Sequence, residues 1–190
     1  MTTVYEPSQH DWKAVEFKSH PSTLTRLPIR DVSWKRSSVI PSLNPQLQAY
    51  GIDPGVHFGL SWIGRDKRIY AVRASIVREE DTELSVLAHR VAAGIFGFTG
   101  VYSMLTVIEG AAYSKFHGQV DLEKIRSGMV TALHPYVKVV PPNRIRKLAF
   151  GSAKIAATSI WPLLDDHAAD AVGCMLAAYQ LRLEKLSSKE

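Results

Sequence analysis

Cysteine is all but missing. Cys174 stands alone among 190 residues, so no internal disulfide can form and a disulfide-stapled scaffold is excluded. No early basic stretch leads into an apolar run with a small-residue cleavage site, so nothing points to secretion, and an intracellular protein is expected. Glycine is absent from residues 1–46, although twelve follow. The uncharged stretch Val91 to Ile108 touches the lower limit for a membrane span, but Gly94, Gly97, Thr99, Gly100 and Ser103 interrupt it. It reads as a helix end followed by a buried strand, and no membrane association is expected. Acidic residues are missing from Lys138 to Lys154, a segment carrying Lys138, Arg144, Arg146, Lys147 and Lys154.

What is present suits one domain with a sizeable core: 46% of residues are hydrophobic and 22% charged in 21.1 kDa, which rules out collagen-like and low-complexity classes. A net charge of +5 and a pI near 9.3 allow a polyanionic partner. Residues 1–46 hold five of the ten prolines and read as an irregular arm, since proline spaced in this way blocks helix and central strand alike. Tyr5, Trp12, Phe17 and Trp34 suggest that the arm packs partly on the core or on a partner.

Residues 47–190 are regular. Leu47–Asp53, His57–Ile63 and Arg68–Val77 read as a three-strand meander with turns at Pro54-Gly55 and Gly64 to Lys67. Helical spacing follows over Asp81–Phe96, a strand over Met104–Glu109, a helix over Asp121–His134, and a strand over Tyr136–Val140. Pro142 opens a basic helix, and a last helix runs from about Asp165 to Leu186. The order β-β-β-α-β-α-β-α gives an α/β fold with a mixed five-stranded sheet flanked by helices.

Asp53 ends the first strand in Gly-Ile-Asp-Pro-Gly, and Glu109 ends the fourth, so adjacent strands would bring both to the edge where ligands gather in α/β folds. On the last helix His167 and Asp170 share a face. Asp165 and Asp166 suit capping, whereas Asp170 lies inside the helix among core residues and needs a cation or hydrogen-bond partners. Three carboxylates and an imidazole suit Mg²⁺, with Mn²⁺ as a substitute, rather than Zn²⁺. Two such ions about 4 Å apart would align a water with a phosphodiester. Cys174, Trp62 and Trp161 read as core packing.

These residues resemble the RuvC Holliday-junction resolvases of the RNase H-like nuclease superfamily. The likeness rests on GIDPG at 51–55 with Gly59, VIEG at 107–110, Pro142 to Lys147 leading to Gly151-Ser152-Ala153-Lys154, and DHAADAV at 166–172, and it covers about 140 residues. The resemblance implies catalytic, metal-holding roles for Asp53, Glu109, His167 and Asp170, with two Mg²⁺ ions per site. It implies a homodimer that binds a four-way DNA junction and resolves it by paired symmetric nicks, in the cytoplasm with the nucleoid or in a phage-infected cell. Arg144, Arg146, Lys147 and Lys154 fall in its DNA-contacting segment. Relatives often place an aromatic wedge a few residues after the Glu, where this chain departs with Ala112 and then Tyr113, followed by Lys115, so Tyr113 reads either as a base-stacking wedge or as a buried sheet tyrosine. The arm ahead of Asp53 departs from bacterial members and suggests a phage-type or otherwise divergent one. Alternatives are a broader branched-DNA or flap nuclease and a junction-binding protein without catalysis. An actin-like ATPase is disfavoured, because no glycine-rich P-loop is present.

Overall fold

A computed structural model of the chain describes residues 15–16, 25–28, 49–63, 68–99, 105–110, 119–162 and 164–187. Its strands are β1 (Val15–Glu16), β2 (Thr25–Pro28), β3 (Tyr50–Asp53), β4 (His57–Ile63), β5 (Arg68–Ile76), β6 (Thr106–Glu109) and β7 (Val137–Val140). Its helices are α1 (Leu84–Thr99), α2 (Gln119–Leu133), α3 (Pro142–Phe150), α4 (Ala157–Ile160) and α5 (Asp166–Ser187).

The five expected strands form one mixed sheet in the order β5-β4-β3-β6-β7. Strands β3, β4 and β5 pair antiparallel as a meander, while β3, β6 and β7 run parallel. The arm adds something its prolines did not suggest. Segments β1 and β2 both pair antiparallel with β5, extending the sheet to seven strands. Pro28 is the last residue of β2, a strand-end position where a missing N–H is tolerated. The short helix α4 was also not expected from the sequence. Among the described residues no helix is long and apolar enough to cross a membrane.

Side chains alternate across the sheet, so each strand feeds two cores. Tyr50, Ile52, Phe58, Leu60, Trp62 and Ile108 pack with Leu87, Val91, Ile125 and Met129 of α1 and α2. Ile63, Ile69, Ala71 and Val107 face the other way, against Ile145, Ala149, Val172, Met175 and Tyr179 of α3 and α5. Trp62 stacks on Tyr70 at 5.1 Å and Trp161 meets Phe150 edge-on at 5.8 Å. Both tryptophans are buried packing residues.

Two glycines let α5 lie directly on the sheet backbone. A Cβ at Gly51 would overlap the Ala171 carbonyl oxygen, and one at Gly59 would overlap the carbonyl oxygen of His167. With Ala168, Ala169 and Ala171 on the opposing surface, all buried, the helix start is pressed against the ends of β3 and β4. Helix α3 begins with Pro142 and ends at Gly151, whose φ of 78° is the left-handed cap that glycine adopts freely.

Candidate active site

Alternation in β3 and β6 decides which way the acids face. Asp53 shares its face with Gly51, and Glu109 shares its face with Val107, so both lie on the α5 side. Asp53 pairs with Gly59, Gly59 with Arg73, and Glu109 with Val140, while Ile52 and Ile108 are partners in the parallel pair. Arg73, Gly59, Asp53 and Glu109 thus lie along one row at the sheet's edge. The first two turns of α5 lay His167 and Asp170 over that row.

His167 Nδ1 lies 2.6 Å from Asp53 Oδ2. A carboxylate can only accept, so the imidazole carries the proton on Nδ1 and donates it. This hydrogen bond, ahead of the opposing effect of burial, raises the His167 pKa above its ordinary value. Glu109 is pushed up from 4.5 to about 8, first by burial and then by the charges of Asp53 and Asp170. Asp170 is raised as well, again by burial first and Asp53 second. Arg146 of α3 works against both shifts, which places its charge in the field of the same carboxylates.

The start of α5 is pinned from two sides. Asp165 Oδ1 accepts the His167 amide at 3.1 Å, capping the helix, and its Oδ2 accepts from Arg73 Nη1 at 2.8 Å. Behind Glu109, the guanidinium of Arg126 donates Nε–H to the Glu109 carbonyl oxygen at 3.1 Å and pairs with Glu123 at 2.5 Å. Arg126 is only 5% exposed. Beneath the acids, Cys174 is fully buried, and its thiol is raised well above its usual range by burial first and then by Glu109, Asp53 and Asp170.

Sequence reasoning brought Asp53, Glu109, His167 and Asp170 to one rim, and the structure places them there. It missed Arg73 and Arg126. The second carried a signal, since Arg126 sits beside Ile125 and one turn on from Leu122, on the face of α2 that packs inward. Arg144, Lys147 and Lys154 are exposed at the surface, and Arg146 is half-buried. Tyr113 and Lys115 lie outside the described residues.

An oxygen-rich donor set in which the Asp53 charge raises the pKa of both Glu109 and Asp170 suits a hard divalent cation, which would relieve that repulsion. As placed, the side chains form an open rim: no three His, Cys, Asp or Glu residues among those described make a ready cage for an ion.

The sheet order, the edge-mounted acids and the overlying α5 define an RNase H-like α/β fold. That fold is similar to the one found in RuvC. Thermus thermophilus RuvC superposes with a TM-score of 0.53 at 17% identity, covering 72% of this chain and 96% of that one. T. thermophilus RuvC in complex with a Holliday junction substrate gives 0.51 at 15% identity over the same shares. The yeast mitochondrial Holliday junction resolvase Ydc2 gives 0.47 at 15% identity, with 80% and 85% covered. The sequence matches no protein-family model and no curated protein.

Proposed function

We propose that this protein is a divalent-metal-dependent endonuclease that resolves four-way DNA junctions by paired symmetric nicks, acting as a homodimer. The observation that carries the reading is the meeting of Asp53, Glu109, Asp170 and His167 at one sheet edge, within the field of Arg146 from the basic helix α3. A fold shared with a RuvC that is known in complex with a Holliday junction substrate supports it.

Asp53, Glu109, Asp170 and His167 would hold two Mg²⁺ or Mn²⁺ ions, which when bound supply charge neutralisation and an activated water for phosphodiester hydrolysis. Asp53, between Glu109 and the α5 residues, is suited to serve both ions. Nδ1 of His167 is committed to Asp53, so Nε2 is the nitrogen available to an ion or to the attacking water. Arg144, Lys147 and Lys154 lie at the surface on and after α3, where they can neutralise backbone phosphates and position the strand without reading its bases.

An end-labelled mobile four-way junction, incubated with and without Mg²⁺ and run on a denaturing gel, tests the reading. Paired nicks at symmetric positions that need the metal, and that vanish in Asp53→Asn while junction binding survives, are the expected result. Equal cutting of junction, flap and linear duplex would replace it with a broader nuclease. Binding without cutting in any divalent metal would leave a junction-binding protein.

A further inference from the structure

The parallel ladder between β3 and β6 is interrupted by a residue that cannot take part in it. Tyr50 N–H donates to the Leu105 carbonyl at 3.1 Å, with Tyr50, Gly51 and Ile52 in register with Thr106, Val107 and Ile108. Parallel rungs recur every second residue. The rung beyond Ile52 therefore joins the amide of residue 54 to the carbonyl of Glu109, and residue 54 is proline, which has no N–H. On the opposite side β6 is served normally, since the Gly110 amide reaches the Val140 carbonyl at 2.8 Å. At the vacated rung stands Arg126, reaching in from α2 to donate Nε–H to the Glu109 carbonyl at 3.1 Å, its other end held by Glu123.

We propose that Arg126 is a positioning residue that substitutes for the main-chain amide Pro54 lacks, and so fixes the strand end that carries the Glu109 carboxylate. The inference rests on the nuclease reading for its catalytic consequence. Its geometry does not depend on that reading. The carbonyl and the carboxylate belong to the same residue. A strand end released at the carbonyl would swing the carboxylate away from Asp53, and such misplacement is costly in a site built on alignment. The arrangement also accounts for a full guanidinium kept 5% exposed, with two oxygen acceptors in its fork.

Arg126→Met removes the donor while keeping the reach of the side chain, and Pro54→Ala puts a main-chain N–H back at the vacated rung. Arg126→Met is expected to lower the junction-cleavage kcat by about tenfold or more, with KM and metal-free junction binding unchanged. Adding Pro54→Ala should recover most of that activity, a rescue that a merely structural role for Arg126 would not produce. Pro54→Ala alone should cut like the parent. Parental kcat in Arg126→Met, or no recovery in a double variant that melts normally, would overturn the inference. Should Arg126→Met fail to fold, Arg126→Leu with and without Pro54→Ala gives the same comparison on the same criteria. Should the parent cut no junction, the nuclease reading fails on its own, and Mn²⁺ titration by calorimetry then decides. Weaker Mn²⁺ binding in Arg126→Met that Pro54→Ala restores upholds the positioning role, and unchanged binding ends it.

Discussion

His167 and Asp53 are 114 positions apart in the chain and meet at 2.6 Å through Nδ1 and Oδ2. The hydrogen bond ties the first turn of α5 to the end of β3. In the metal-free protein it holds the imidazole protonated at higher pH than an ordinary histidine. NMR titration of the His167 ring should therefore show a raised pKa, and Asp53→Asn should lower it, because the charged acceptor that is the largest cause is then removed.

The pH dependence of stability has a definite sign. Glu109, Asp170 and His167 are all raised on folding, so the folded protein binds more protons than the unfolded chain. The stabilising contribution of Glu109 is full below its unfolded value of 4.5 and is lost as pH rises through about 8. The melting temperature of the metal-free protein should fall across that window, and Glu109→Gln should flatten the fall. Divalent metal should stabilise more strongly as pH rises, because binding displaces those protons.

Gly59→Ala places a methyl group against the His167 carbonyl and should cost about 3 kcal/mol, the upper range for over-packing, with cleavage abolished before folding is. Gly173→Ala is the internal control. Its Cβ would meet Phe150 at 3.4 Å, an ordinary approach, and alanine in mid-helix should gain up to about 1 kcal/mol. Thermal melts of the two variants should move in opposite directions.

Replacing Arg144, Lys147 and Lys154 by alanine should weaken junction binding on all sequences alike. For every phosphate that is no longer neutralised, the slope of log affinity against log salt should become shallower by about one. Fluorescence anisotropy across a salt series measures this. Arg146→Ala should act differently, raising the pKa values of Glu109 and Asp170 further in a carboxyl NMR titration of the metal-free protein, because its charge favours their ionised forms.

The acids were legible because a charged residue closing an apolar strand, or buried in an apolar helix, breaks a local pattern, and Asp53, Glu109 and Asp170 each do so. The strand order followed from the alternation of periods two and 3.6. Strand β1 and the end of β5 are joined by pairing across about 60 residues, Val15 to Ile76, and nothing in a proline-rich stretch announces such a partner. Arg126 and Arg73 were missed for a related reason. Their partners, the Glu109 carbonyl and Asp165, are set by packing between distant elements, and the sequence names neither partner for an arginine within a helix or a strand.

Cys174 lies under the carboxylates, fully enclosed and with its thiol held protonated. A maleimide therefore finds nothing to react with until α5 lifts from β3 and β4. With no other sulfhydryl in the chain, the labelling rate is a clock for the opening of that one place, and a substrate or metal that seals the rim should slow it without any other change to the molecule.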